Sequence, residues 1–419
     1  MSVWPKVKLK DLCERVTVGY VGPMAQQYVP SGVPFLRSLN VRPYRISLDK
    51  LMFIDEAFHH KIRKSALRPG DVAIVRTGYP GVACVVPESL PRSNCSDLVI
   101  VRPSKELNPH FLCAIFNSTF GRDVVAGNLV GAAQQHFNIT VAKELVLSVP
   151  EKAEQDEIAA VLVAYDDLIE NNRRRIALLE RMAEQLYREW FVRFRFPEYR
   201  QAKFEKGKPV GWSSVPVAKA FRFTGGATPS KDTARYWKDG TINWFTPSDI
   251  TAADGLFLGE SGLKCTEEGL SSCSATLFPA YSVMMTSRAT IGAIGINTTP
   301  ACTNQGFIAC LPNERYPLSY LYHWLKLSKD YFLSLCGGAT FPELTKGTFK
   351  RIEVLTPPSS LVAEFDRRVA PIFSSMEKLE RVNAVLAKTR DLLLPRLISG
   401  KLRVDQLDIQ FPPSMPAQA

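Results

Sequence analysis

Catalysis needs a nucleophile beside a base, paired carboxylates, metal ligands at fixed spacing, or a glycine-rich phosphate cradle. The 419-residue sequence offers only fragments of these. It has no GxxxxGK followed by Ser or Thr, the loop whose backbone amides hold nucleotide phosphates; SGKL at 399–402 lacks both the first glycine and the hydroxyl residue. NPHF at 108–111 shares three letters with the Asn/Asp-Pro-Pro-Phe/Tyr element of amino-methyltransferases. It lacks the second proline and any accompanying glycine-rich cofactor turn, so it reads as the start of a helix. Pro197-Glu198 followed by Glu205-Lys206 carries nuclease-like carboxylates at the wrong spacing. Asp166, Asp167 and Glu170 fall opposite the apolar seam of a helix and are expected to form a solvated face. Nine cysteines include no CxxC, and the closest pairs have seven residues between them, which fits reduced thiols. Five histidines, His59 and His60 among them, share no ligand spacing with those cysteines, so no metal site is expected.

What remains is hydrogen-bonding chemistry without a reaction. The stretch GGATPSKDTARYWKDGTINWFTPSDI (225–250) sets Trp237 and Trp244 among threonines, serines and aspartates. It opens on Gly-Gly and Thr-Pro, which are loop signals, and passes into a short aromatic run that could be a strand. A plain surface loop, a sugar-type platform and a surface that reads another macromolecule are the three readings open to it. Trp237 and Trp244 are expected to anchor the loop or the core.

The whole chain must position such groups. Its length allows two or three domains with proper cores, and 46% hydrophobic with 22% charged residues is an ordinary globular balance. A net charge of +11 and a pI of about 9.2 favour an anionic partner, nucleic acid first. The excess is local: residues 1–150 carry roughly +7, residues 197–356 roughly +4, and residues 151–196 roughly −2. No apolar run approaches membrane-spanning length, and MSVWPKVKLKDL has no apolar signal core; a soluble, cytoplasmic protein is expected.

The chain is written twice. GAAQQHFNITVAKELVLSVPEKAEQDEIAAVL from Gly131 aligns without a gap on GATFPELTKGTFKRIEVLTPPSSLVAEFDRRV from Gly338, at an offset of about 207. Pro150 meets Pro357 and Glu157 meets Glu364. Upstream, PGDVAIVRTGYPG (69–81) faces PAYSVMMTSRATIG (279–292), and Trp4 and Trp212 open the halves. Short β-branched and aromatic runs separated by turns predict α+β domains with a mainly antiparallel sheet. Each is followed by one long helix. The first carries a heptad of Leu162, Ile169, Ile176, Ala183 and Trp190 with Tyr165, Asn172, Leu179 and Leu186. The second carries Val369, Met376, Asn383, Arg390 and Leu397 with Ile372, Leu379, Leu386 and Leu393. Sustained 3–4 spacing predicts an antiparallel coiled coil, or else two amphipathic helices lying on their domains. Asn172 and Asn383 are expected to fix register by facing each other. A helix of about 45 residues would span roughly 65 Å. The expected layout is 1–150 and 197–356 as two similar domains, 151–196 and 357–404 as spacer helices, and 405–419 as a disordered tail.

These residues resemble the specificity subunits of type I restriction–modification systems over nearly the whole chain. Segment 225–250 is similar to that family's GGTPS…YW…TPSDI element at the start of a target recognition domain. VPEKAEQDEIAAVL and PPSSLVAEF resemble its approach to the spacer helices, and LLLPRLISGKLRV (392–404) resembles its carboxyl end. Two departures stand out. SSLVAEF replaces the usual Glu-Gln at the second spacer, and SGVPFLRSLNV (31–41) takes the place of TPS…YW…TPSDI in the first half. The resemblance implies a non-catalytic DNA-recognition subunit whose two recognition domains each read one half of a bipartite asymmetric site. The spacer helices would set the gap and dock two methyltransferase subunits, and a restriction/translocase subunit would join them. S-adenosylmethionine would then belong to the partner methyltransferase, and ATP and Mg to the partner nuclease, with no cofactor in this chain. A coiled-coil scaffold that binds DNA without sequence preference is the alternative; a free-standing nuclease or methyltransferase lacks its motif.

On that reading, polar loop residues are the candidates for base edges and phosphates, since Gln suits adenine and Arg suits guanine. In the second domain these are Thr246, Ser248, Asp249, Ser287, Arg288, Thr290, Thr303, Asn304, Gln305, Thr340 and Lys346. Their first-domain counterparts are Arg37, Ser38, Asn40, Arg76, Thr77, Tyr79, Gln134, Gln135 and His136. The Arg173–Arg175 run could touch the backbone between half-sites or balance nearby acids.

Overall fold

The computed structural model describes residues 4–127, 129–130, 136–337, 342–404 and 407–415. Two units result: Met1–Asn171 with Asn383–Ala419, and Asn172–Val382. Helix α1 (Lys152–Tyr187) and helix α2 (Ser359–Leu397) each contribute one part to each unit.

In the first unit a four-stranded antiparallel sheet runs in the order Ala83–Val85, Val72–Val75, Leu98–Pro103, Cys13–Val18. Successive side chains of a strand point to opposite faces. Val72, Ile74, Val99 and Val101 accordingly enter one core with the helix Pro109–Asn117, while Ala73, Val75, Leu98 and Ile100 enter another. Burial on both faces explains why VAIV reads as an unbroken apolar run. A second, five-stranded sheet contains one parallel pair, Val33–Leu36 with Ser93–Cys95.

The second unit follows the same plan. Its five-stranded sheet is ordered Phe223–Gly225, Phe307–Cys310, Val283–Thr286, Ile294–Asn297, Phe257–Leu258. Val283, Met285, Ile296 and Ile308 face one core, and Met284, Phe307 and Ala309 the other. In the adjoining three-stranded sheet, Ile242–Phe245 lies parallel to Ala301–Thr303. The expected α+β class with mainly antiparallel sheets is what forms.

The repeat extends to the backbone. Gly70, Gly78 and Gly81 have positive φ, and so do Tyr281, Ala289 and Gly292, each 211 residues later. Val75 N–H donates to Val82 O at 2.8 Å, as Thr286 N–H does to Ala293 O at 2.9 Å.

The long helices bury the predicted seam. In the first unit Ile158, Leu162 and Val163 share a core with Leu394 and Leu397. The course is antiparallel: Asn383 Nδ2 donates to the Ile169 carbonyl at 3.4 Å, and Arg390 reaches back to Asp166. That contact corrects the solvated face expected of Asp166. Arg390 is a buried seam residue, and a cation cannot leave water without counter-charge. Asp166 supplies that charge, and the Tyr44 ring lies 4.0 Å from the guanidinium. Burial pushes the Asp166 carboxyl up to about 6 against the pull of Arg390. Residues 407–415 also depart from the disordered tail expected there. Met415 is buried in the first unit's core, Ile409 packs beside it, and Ser414 Oγ donates to Asp167 Oδ2 at 2.8 Å. A tail with apolar residues to bury, next to a core, gains by packing.

The start of each spacer helix is clamped differently. Gln155, buried on α1, accepts from Asn108 N–H at 2.9 Å and donates to the Glu106 and Pro150 carbonyls, both at 3.0 Å. In the second unit Val362 occupies the matching position, fully buried, and Arg315 Nη2 takes the Pro357 carbonyl instead at 2.8 Å. The missing Glu-Gln is thus replaced by an apolar contact plus a guanidinium arriving from another loop.

His323 lies at the heart of the second unit, stacked on Tyr187 with its Nδ1 2.6 Å from the Ser319 carbonyl. Burial holds the imidazole neutral, its pKa pushed down to about 4. The unfolded chain takes up this proton near pH 6.5, so stability present above that pH is lost as pH falls toward 4. His323→Leu should remove roughly 2 kcal/mol of the stability lost between about pH 7 and pH 5. Urea unfolding of the full chain at both pH values checks this; an unchanged loss in the variant would contradict it.

Candidate nucleic-acid interface

The candidate residues cluster where the strands end. In the first unit, Val33–Leu36 exits into Arg37, whose N–H donates to Asn40 Oδ1 at 3.1 Å. Asn40, at 0% exposure, returns its amide protons to the Ser47 and Asp49 carbonyls at 3.0 and 3.1 Å. The Arg37 guanidinium donates to the Lys50 carbonyl at 2.6 Å. Val72–Val75 exits into Arg76, and the two exits meet at one atom: the Asp97 carbonyl accepts from Arg76 N–H and from Ser38 Oγ, both at 3.2 Å. Phe137 completes the crossing, donating N–H to the Arg76 carbonyl at 3.1 Å and accepting from Arg76 Nε at 3.3 Å. Thr77 and His136 are half-buried beside this crossing, while Tyr79 stands 78% exposed. Gln134 and Gln135 lie outside the described residues.

The second unit builds the same crossing from other side chains. Ile242–Phe245 exits into Thr246, whose N–H and Oγ1 donate to Asp249 Oδ2 at 2.6 and 2.7 Å. Asp249 Oδ1 accepts from Gly262 N–H at 2.8 Å. Ser287 N–H donates to the Gly306 carbonyl at 2.8 Å, and the Ser287 carbonyl accepts from Leu344 N–H at 2.9 Å. Arg37 and Thr246, Asn40 and Asp249, Arg76 and Ser287, Asp97 and Gly306, and Phe137 and Leu344 therefore hold equivalent posts. Asn304 N–H bonds the Phe245 carbonyl at 3.1 Å, and its Oδ1 accepts from Gly306 N–H at 2.9 Å.

The polar stretch at 225–250 is the lining of this crossing. Trp244 is 2% exposed and donates Nε1–H to the Ala227 carbonyl at 2.9 Å. Trp237 packs on it edge to face at 4.9 Å and donates to the Ser230 carbonyl at 3.0 Å. Both tryptophans are anchors. Gly226 is required because a Cβ there would lie 1.8 Å from the Thr303 carbonyl, and at Gly225 it would meet the tip of Lys346.

Burial sorts the candidates. Asn40, Ser287 and Thr303 are buried and hold the loops. Ser248, Arg288, Thr290, Gln305 and Lys346 reach solvent, as does Tyr79. Arg288 Nε is paired with Glu343 at 2.8 Å, and Gln305 Oε1 accepts from Thr228 Oγ1 at 2.7 Å. Thr340 lies outside the described residues. Arg173 of the cationic run donates Nε–H to Asp254 at 3.0 Å. Sequence reasoning missed Asp97, Thr228 and Glu343. Of these only Asp97 left a signal, since Asp tolerates the left-handed φ of 55° found there.

Among the described residues no group of His, Cys, Asp and Glu is placed to hold a metal, and no helix is long and apolar enough to cross a membrane. The Cys84 thiol, fully buried, is pushed up to about 12 and is no nucleophile.

Two domains of one α+β plan, each ending in differing polar loops, define a duplicated recognition fold. The sequence matches the model of the type I restriction modification DNA specificity domain over residues 1–181 and again over 209–384, so the chain belongs to that family. It is 31% identical over 206 residues to the type I restriction enzyme MjaIX specificity subunit of Methanocaldococcus jannaschii, covering 48% of this chain and 46% of that protein. It thus spans about half the length of that relative. Similarity to the putative MjaX specificity subunit of the same organism, at 22% identity, covers 96% of this chain and 94% of the relative. The crystal structure of a type I restriction–modification S subunit from M. genitalium shares the fold, with a TM-score of 0.51 at 15% identity over 94% of this chain and 96% of that one.

Asn40→Ala would leave the Arg37 N–H and two carbonyls without their partner and should cost about 2–3 kcal/mol of the first unit's stability, whereas exposed Tyr79→Ala should stay within about 0.5 kcal/mol. Denaturant titrations of the two variants check this ordering. Equal effects would show that Asn40 does not hold the loop.

Proposed function

We propose that this chain is the DNA-recognition subunit of a type I restriction–modification assembly, each unit reading one half of a bipartite asymmetric site. The observation that carries the reading is one backbone crossing formed twice and dressed with different exposed side chains: Tyr79 in one unit, Ser248, Arg288, Thr290 and Gln305 in the other. Matching crossings with different hydrogen-bonding groups suit two different sequences, since donors and acceptors on base edges specify and phosphate contacts position. The net charge of +11 suits a polyanion.

The chain carries out no reaction of its own on this reading. Methylation belongs to two methyltransferase subunits docked on the spacer helices α1 and α2, using S-adenosylmethionine. Cleavage belongs to a restriction/translocase subunit that uses ATP and Mg. The helices set the unread gap, and the assembly works in the cytoplasm, where the DNA is.

Methylation mapping of a host expressing this chain with its methyltransferase subunit, against a host lacking the chain, should reveal a bipartite adenine motif that depends on the chain. No such motif, with the methyltransferase active on another specificity partner, would favour the scaffold reading.

A further inference from the structure

A second basic feature lies in the first unit, away from the loop crossing. Arg15, His59, Arg63, Lys64, Arg68 and Arg92 line an open cleft of about 480 Å³ floored by Ala66, Leu67 and Pro91. Carboxylates do not balance it. Arg92 pairs with Glu56, but Asp71 is engaged by Arg102 through two bonds of 2.7 Å. Arg15 spends its guanidinium on the Lys64 carbonyl at 2.7 Å, which fixes the wall without neutralising it. Arg63, Lys64 and Arg68 are exposed, and among the described residues none of the three has a carboxylate partner. Cations gathered in one concavity repel each other and focus a positive potential that an anion relieves. Apart from Lys64 these permanent cations are arginines, whose planar forks suit phosphate oxygens.

The cleft's distance from the crossing says which phosphate. Arg15 sits three residues before Val18, on the strand whose far end runs into the crossing through Gly19 N–H to Leu98 O and Tyr20 N–H to Cys95 O, both 2.8 Å. At about 3.3 Å per residue that is roughly 10 Å, and Arg92 lies a similar distance back, before the three-residue strand Ser93–Cys95. Duplex DNA advances about 3.4 Å per nucleotide of one strand, so these are distances of roughly three base pairs. We propose that the cleft binds a backbone phosphate of the DNA flanking the first half-site, beyond the bases that are read. This rests on the DNA-recognition reading above.

The test uses the full chain and duplexes carrying the mapped motif, one extended by about a helical turn beyond the first half-site and one ending at it. Arg63→Gln, Lys64→Gln and Arg68→Gln combined should bind the extended duplex roughly tenfold more weakly at low salt, with the slope of log K against log salt reduced by about 1. Base preference should be unchanged, and the trimmed duplex should be bound as tightly as by the parent. Wild-type affinity and slope on the extended duplex would overturn the proposal. So would an equal loss on both duplexes. Inorganic phosphate at constant ionic strength that stabilises the parent but not the variant, with DNA binding unaltered, would assign the cleft to a small anion and overturn the DNA source. Lost association with partner subunits at unchanged DNA affinity would assign it to an acidic protein surface, with the same consequence. A parent chain with no preference for the motif would sink the recognition reading itself, and this proposal with it.

Discussion

Everything at the candidate interface depends on a backbone crossing: a strand-exit N–H donating to a carbonyl of the neighbouring strand's approach. Arg76 to Asp97 makes it in one unit and Ser287 to Gly306 in the other. Because the bond joins main-chain atoms, its geometry does not depend on which side chains the loops carry. Main-chain bonds from the following segment, at Phe137 and Leu344, close the crossing in both units, and in the first unit the Ser38 hydroxyl and Arg76 Nε add to it. The side chains that stay fixed in role, Asn40 and Asp249, act on backbone N–H groups. Loops tied down in this way can exchange their outward groups at little cost to the fold, which is what a reader of varying sequences requires.

The spacer helices obey a similar division between apolar seam and buried charge. Arg390 on the seam is a liability compensated by Asp166, Asp391 and the Tyr44 ring. An apolar residue at that position would pack with less desolvation cost. The charge instead ties α2 to both α1 and the loop carrying Tyr44, a three-way contact that no single aliphatic side chain makes. At the equivalent point of each half, Gln155 and Arg315 solve one problem, an orphan carbonyl just before a long helix, with different chemistry.

Much of this was legible in the sequence, and the parts that were not share a cause. The repeat, the strands and the helix seams show because apolar periodicity reports burial directly; VAIV and the heptads from Leu162 and Val369 land where their spacing puts them. The loops gave only residue types. Asn40 and Asp249 look like base readers in the sequence and serve as internal acceptors, because an amide or carboxylate in a turn suits both tasks. Asp166 looked solvated because its partner lies 224 residues away in the chain. Arg315 was invisible as a substitute for Gln155 because guanidinium and amide share no letter.

Scaffold and reading side chains are, on this view, separable within each unit. The most direct measurement is methylation mapping with a chain in which Ser248, Arg288, Thr290 and Gln305 are exchanged together for groups of different hydrogen-bonding pattern, the half-buried Thr246–Asp249 pair being kept. Separability predicts a motif with one altered half-site, the other half and the gap unchanged. A motif altered in both halves, or left the same in both, would contradict it.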